Sequence, residues 1–354
     1  MKRFTRNFGS FAFPAVTAAV LTLALAACGT GGRPNGHPYT AEPVIIGADG
    51  EWALDGILTV PRGAGRRNPV PAVVLVHGSG PADMDSNVFG NRPFFDIADY
   101  LSANGVAVIR YNKRTYTHGP RMLETMGDSL TVWEETVEDA VLAAELLRAD
   151  PRVDANRIYV LGLSMGGMLA PNIHASGGNF AGLILLAGTP RSLPEIMLEQ
   201  LRTIVNLTVD QGPIMDMQMA QLDALEELFA AIPGMTAEEA RATQIPIGGG
   251  ATAYYFRDLE TRAFADYIRK ADVPVLVMQG GRDFQVLADR DFVIIRELLE
   301  GRSDVTFRLY DDLNHLFMHT EATNFIEHSE GITQTRGHVD ARVLRDIADW
   351  ILSR

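Results

Sequence analysis

A hydroxyl, an imidazole and a carboxylate, widely separated along the chain, are the residue types that nucleophilic catalysis requires. The hydroxyl belongs to Ser164, in Gly162-Leu163-Ser164-Met165-Gly166, which follows the β-branched and aliphatic run Ile158-Tyr159-Val160-Leu161. A strand-like run that breaks into GxSxG and continues into helix-compatible Met168-Leu169-Ala170 predicts a strand, a tight turn and a helix. Glycines on both sides let neighbouring backbone approach, so the serine Oγ projects into a cleft above the sheet. The turn also brings the Met165 amide to a helix N-terminus, where positive partial charge gathers and an oxyanion can bind. Ser164 is the candidate nucleophile.

Serine is a poor nucleophile until a base takes its proton, and the base needs an anion behind it to fix its tautomer. Asp283, in Gly280-Gly281-Arg282-Asp283, lies just past the apolar run 273–280. His315, in Leu313-Asn314-His315-Leu316-Phe317, follows the run that ends at Tyr310. Both positions predict loops at the carboxyl ends of core strands, as for Ser164. Asp311 and Asp312 are the fallback acids, while His319, His328 and His338 lie further from a strand end. A second oxyanion donor is expected from His77-Gly78-Ser79-Gly80-Pro81, where the glycines Gly78 and Gly80 let the loop turn the Ser79 amide toward the cleft beside that of Met165. Ser79 lacks the strand-turn-helix setting of a nucleophile, and His77 is read as support for the loop rather than as the base.

These residues need a sheet to hold them. Pro43–Ile46 and Gly56–Val60 bracket Ala48-Asp49-Gly50 and read as an antiparallel hairpin. The continuous apolar run at 71–76 reads as a buried parallel strand and 105–111 as the next one, with 157–163, 180–188, 273–280 and 305–310 as the further strands. Between them Phe94–Ala103 reads as a helix. So does Leu130–Arg148, whose Glu134, Glu135 and Glu138 are assigned to a wet face opposite the apolar stripe. Strands alternating with helices predict an α/β fold, a mostly parallel central sheet covered on both faces. Residues 191–270 break the alternation with helical segments at 193–209, 215–231, 236–241 and 257–270. They are expected to form a helical cap insertion above the serine. Met197, Met215, Met217, Met219 and Met235 within it would either line an acyl pocket or fill an irregular core.

Residues 1–27 begin with Lys2, Arg3 and Arg6, carry no acid, and continue through an apolar stretch to Leu25-Ala26-Ala27-Cys28. This predicts a signal peptide, with Cys28, the single cysteine, as the lipidated N-terminus of an exported lipoprotein of the bacterial cell envelope. An uncleaved apolar span over 8–27 is the other reading. Residues 28–41 would form a glycine-rich tether and 42–354 the folded domain. Removing the three basic residues of the signal takes the formal charge from −13 to −16, so phosphate backbones would be repelled and no nucleic-acid partner is expected. The partners foreseen are a small ester or acyl substrate and, through the anchor, a membrane. No required protein partner is evident.

Taken together, His77-Gly78-Ser79-Gly80-Pro81, Arg110-Tyr111-Asn112-Lys113-Arg114, the serine elbow and Asn314-His315-Leu316-Phe317 make residues 42–354 resemble the α/β-hydrolase superfamily. The motifs are similar to bacterial serine hydrolases of the dienelactone-hydrolase-like, prolyl-oligopeptidase-like and serine-aminopeptidase-like kinds. The order Ser, Asp, His also fits. The resemblance implies Ser164 as nucleophile, Asp283 as acid, His315 as base, and no metal or organic cofactor. Asn112 departs from the aspartate common there, which puts a support contact near the oxyanion loop in question. Dienelactone hydrolases proper carry cysteine at the elbow, so their substrate is not expected. With no propeller domain ahead of the core in this sequence, a carboxylic ester is the expected substrate. A short peptide or a thioester is the alternative, and a lipid-tethered binding protein without activity is a further one.

Overall fold

Apolar runs too short for helices pair into one eight-stranded sheet. The computed structural model describes residues 37–247 and 249–354. The strands are β1 (Tyr39–Ile46), β2 (Leu54–Pro61), β3 (Val70–Val76), β4 (Ala107–Tyr111), β5 (Val153–Leu163), β6 (Gly182–Leu186), β7 (Val275–Gly280) and β8 (Val305–Tyr310), in the spatial order β1-β2-β4-β3-β5-β6-β7-β8. β1 and β2 form the antiparallel entry hairpin and β2 meets β4 antiparallel. From β4 to β8 every pairing is parallel. β1 opens at Tyr39, inside the stretch assigned to the tether. Its backbone pairs in register with β2 up to Pro61, so sheet hydrogen bonding reaches past the last hydrophobic alternation that the sequence displays. The expected signal peptide and Cys28 lie outside the described residues.

Alternate residues of each central strand face opposite sides, as the period of two requires. Val74, Val76, Val160, Leu183 and Val277 enter one core, and Val73, Leu75, Leu161, Ile184 and Met278 the other. The helices are α1 (Pro93–Ala103), α2 (Arg114–Thr125), α3 (Glu138–Ala149), α4 (Met165–Ile173), α5 (Leu193–Thr208), α6 (Pro213–Ala231), α7 (Ala237–Ala242), α8 (Ala253–Glu260), α9 (Phe264–Ile268), α10 (Val293–Leu298), α11 (Phe325–Gln334) and α12 (Ala341–Leu352). Residues of α3, α4, α9 and α10 pack in the first core, and residues of α1, α11 and α12 in the second. Among the described residues no helix is long and apolar enough to cross a membrane.

Two local expectations change. The helix read as starting at Leu130 begins instead with a wide turn, Trp133–Val137, in which the hydrogen bonds span five residues before α3 continues. Such a turn rotates side chains off the regular helical stripe, and Glu135, expected on the wet face, is buried. The segment read as one helix over 257–270 is two, α8 and α9. Thr261 Oγ1 donates to the Asp258 carbonyl at 2.6 Å and the Arg262 amide to Leu259, which closes the first helix before the second starts. With α5, α6 and α7, these pieces make up the chain between β6 and β7. α5 and α7 each open on a capping box, Ser192 with Glu195 and Thr236 with Glu239.

Candidate active site

β5 ends at Leu163, and the next residue turns the chain into α4. Ser164 holds φ 58° and ψ −121°, a conformation that costs a non-glycine residue energy and persists where its surroundings enforce it. Its amide donates to the Leu186 carbonyl of β6 at 2.8 Å and its carbonyl accepts from Met168. The two glycines of the elbow are steric necessities. A Cβ on Gly162 would come within 2.1 Å of the Gly166 carbonyl oxygen, and one on Gly166 within 2.3 Å of that of Val76. The elbow thus rests on β3, and a Cβ built on Gly78 would lie 3.1 Å from that of Ser164, which brings the 77–81 loop against the serine.

Asp283 and His315 come together at the same edge of the sheet. Asp283 sits past β7, and His315 Nδ1 lies 2.7 Å from its Oδ2, with both side chains buried. Gln279 Nε2 donates to the same oxygen at 3.0 Å, while the amides of Gln285 and Val286 donate to Oδ1 at 2.8 and 3.0 Å. Four donors occupy this carboxylate, which assigns the proton of the imidazole to Nδ1 and leaves Nε2 with its lone pair. The histidine loop lies directly on the aspartate loop. A Cβ on Gly280 would meet the Leu313 carbonyl oxygen at 2.5 Å. Asn314 Oδ1 accepts from the amides of Leu316 and Met318 and so braces the turn that carries His315. Among the described residues no hydrogen bond joins Ser164 Oγ to the His315 ring; such contacts commonly tighten only when substrate is bound.

The other titratable candidates are engaged elsewhere. Asp312 pairs with Arg342 and His319, and that guanidinium is the main reason its pKa lies at about 2. His338 pairs with Asp96. His328 is buried beside Gln285, and burial lowers its pKa to about 4. His77 is buried too, its Nε2 donating to the Asp83 carbonyl at 2.9 Å while its ring packs on Phe94 and Tyr111. Burial, reinforced by the positive charge of Lys113, brings its pKa down to about 3, so it is neutral and serves as a fixed donor within the loop. Asn112 Oδ1 accepts the Met84 amide at 2.9 Å, which locates the contact in question at the loop after Pro81. Among the described residues no His, Cys, Asp and Glu side chains group as they would to hold a metal ion.

Among the described residues neither the Ser79 nor the Met165 amide donates to another group. Both residues line a cavity of about 440 Å³, roofed by Leu193 and Met197 of α5 and by Tyr255 and Phe256 of α8. Met122, Leu123 and Leu130 make its apolar wall. Of the five methionines singled out between 191 and 270, only Met197 is among the described lining residues; Met217 is exposed. One acid, Glu135, reaches the cavity, and it is already paired with the buried Lys113 at 2.7 Å. Four residues to which the sequence alone gave no role at the site support it: Gln279, Lys113 and Tyr255, and Glu135, which had been assigned to a wet face. A polar residue at the carboxyl end of an apolar strand was the available signal for Gln279.

Comparison with known proteins agrees with this architecture. The model of the Alpha/beta hydrolase family matches residues 73–327. Esterase EstD of Thermotoga maritima is 37% identical over 300 residues, which cover 84% of this chain and 65% of the relative. The chain therefore spans a little under two thirds of that relative's length. Among solved structures, Est1E from Butyrivibrio proteoclasticus superposes with a TM-score of 0.53 at 16% identity, over 88% of this chain and 99% of that one. Pyrococcus horikoshii acylaminoacyl peptidase superposes with a TM-score of 0.50 at 16% identity, over 78% of this chain and 38% of that one. At such identities the two structures share the fold with this chain.

Proposed function

The chain belongs to the α/β-hydrolase family, and from that premise we propose that it is a serine hydrolase cleaving carboxylic esters through an acyl-enzyme. One observation carries this reading: the buried Asp283–His315 pair at 2.7 Å, on the sheet edge where Ser164 stands in a strained elbow. In the proposed cycle Ser164 Oγ attacks the ester carbonyl and His315 Nε2 takes its proton. The tetrahedral oxygen is held by the Ser79 and Met165 amides, the latter at the positive end of α4. His315 returns the proton to the departing alcohol, and water repeats the steps on the acyl-enzyme. Asp283 keeps the imidazole in the tautomer that leaves Nε2 free.

The similarity to an esterase supports ester over peptide, and the cavity does so independently. A peptidase that reads a free N-terminus needs a carboxylate for the substrate's ammonium group. The single acid among the described lining residues, Glu135, is neutralised by Lys113. Apolar walls suit an aliphatic or aromatic acyl group. Turnover of p-nitrophenyl esters from acetate to octanoate, set beside aminoacyl-p-nitroanilides, tests this in wild type and Ser164→Ala. Ester cleavage that vanishes in the variant is expected. Faster cleavage of the anilides would replace the esterase reading by a peptidase.

We also propose that the protein is exported and anchored by lipid on Cys28, which the spacing of basic, apolar and small residues before that cysteine supports. Mass spectrometry of the mature N-terminus, expected to give an acylated Cys28, checks it. A free Met1 would refute it.

A further inference from the structure

The strongest unassigned feature is a run of buried polar contacts beneath the serine. Lys113 Nζ donates to the Gly78 carbonyl at 2.8 Å, and its own backbone amide donates to the Ala82 carbonyl at 3.0 Å, so one residue ties both ends of the 78–82 loop. Nζ also meets Glu135 Oε1 at 2.7 Å, and both side chains are almost wholly buried, at 2% and 9% exposure. Glu135 Oε2 accepts from the Tyr255 hydroxyl, which lies 3.9 Å from Met165 Sδ. Burial first, and Glu135 second, push the Tyr255 hydroxyl well above its ordinary pKa, so it stays a donor. The contacts thus run from the Gly78 carbonyl, through a residue before α2, the wide turn ahead of α3 and the cap helix α8, to the residue after the nucleophile.

A buried ion pair gains little stability over apolar packing of the same shape, so its presence asks for another reason. That reason lies in the peptide unit it grips. The Gly78 carbonyl and the Ser79 amide belong to one planar unit, and no peptide bond in the described chain is cis. Holding the oxygen on Lys113 therefore fixes the opposite direction for the Ser79 N–H, and a cation on the carbonyl polarises that N–H as a donor. We infer that Lys113, held by Glu135 and Tyr255, is the positioning residue that aims the Ser79 amide at the tetrahedral oxygen, and that the cap takes part through Tyr255. The inference rests on the proposed catalytic reading of Ser164. It adds the part of the molecule that sets the oxyanion donor and links that donor to the wall of the substrate cavity.

The test separates aim from stability by removing the pair as well as breaking it. Lys113→Met alone leaves a buried carboxylate unpaired and lowers Tm. Lys113→Met with Glu135→Gln leaves neither member of the pair as an unpaired buried charge, keeps an acceptor for Tyr255, and is expected to recover most of the lost Tm. In the full chain, with a p-nitrophenyl ester as substrate, the double variant should still lose about 10- to 100-fold in kcat, with KM kept within about threefold. Affinity for a trifluoromethyl ketone, whose adduct carries the oxyanion, should fall by the same factor as kcat/KM. Lys113→Arg, which retains a cationic donor, should restore part of kcat. A double variant with kcat and ketone affinity within about twofold of wild type overturns the inference and leaves the pair a purely structural one. Ser164→Ala in parallel tells the two failures apart. If it is inactive while the double variant is fast, only the positioning role falls; if it turns over substrate normally, the catalytic reading falls with it.

Discussion

Asp283→Asn is the substitution that asks most of the geometry. The carboxylate accepts four hydrogen bonds: Oδ1 from the Gln285 and Val286 amides, Oδ2 from Gln279 Nε2 and His315 Nδ1. An amide has one acceptor oxygen and one donor group, so it can satisfy only one of these two sides. Backbone donors cannot change character, which directs the oxygen to them and the NH2 group to the imidazole. His315 must then accept at Nδ1 and carry its proton on Nε2, where it can no longer receive the proton of Ser164. A wrong tautomer at an intact site costs on the order of 10⁴ in kcat, which converts to about 5 kcal/mol of transition-state stabilisation. Stability should fall by only about 1–3 kcal/mol, since the lost partners are hydrogen bonds rather than packing. Steady-state hydrolysis of p-nitrophenyl acetate and urea unfolding measure the two effects separately. A variant that keeps kcat within about tenfold of wild type would refute the assignment of Asp283 as the group that fixes the tautomer.

Three further outcomes follow from particular contacts. Gly162→Ala drives a Cβ to 2.1 Å from backbone and should cost more than about 4 kcal/mol, whereas Gly63→Ala, at φ +88° with open space around it, should cost only about 1–2 kcal/mol; denaturant midpoints compare them. His77 has a pKa of about 3 when folded and an ordinary value when unfolded, so the unfolded chain takes up the proton first as pH drops. Its contribution is complete above pH ~6.5 and declines toward pH ~3, by roughly 2–3 kcal/mol between pH 6.5 and 4.5, and His77→Gln should flatten that part of the stability-against-pH curve. Met197→Trp fills the cavity beneath α5, and kcat/KM for the octanoate ester should fall about tenfold relative to acetate; an unchanged ratio would remove the cavity from acyl recognition.

The positions of Ser164 and Asp283 at strand ends were legible because the second half of β5 and all of β7 are largely apolar runs that stop at glycine-bearing turns, and that of His315 because Val305–Tyr310 still reads as a strand although Thr306 and Arg308 interrupt it and Asp311-Asp312 follow. The entry hairpin and the helical segment between β6 and β7 were legible for similar local reasons. What lay hidden depends on pairing across distance. Lys113, Glu135 and Tyr255 are separated by 22 and 120 residues, and each alone reads as a solvated charge or a core aromatic. Glu135 was placed on a wet face because a regular helix puts it there, and the wide turn over Trp133–Val137 rotates it inward. The pattern of 257–270 gave no sign of the break at Thr261, which arises from a hydroxyl capturing the Asp258 carbonyl. Gln279 was absorbed into an apolar run, although it is the side chain that shares Asp283 with His315.

The central claim is that one hydroxyl, activated by His315, becomes acylated. Mapping the adduct of a fluorophosphonate probe by peptide mass spectrometry measures this directly. The expected result is a single modified peptide, carrying the phosphonyl group on Ser164, that disappears in Ser164→Ala and forms far more slowly in His315→Ala. Modification of Ser79 or any other residue at the wild-type rate, or equal labelling of Ser164→Ala, would contradict it.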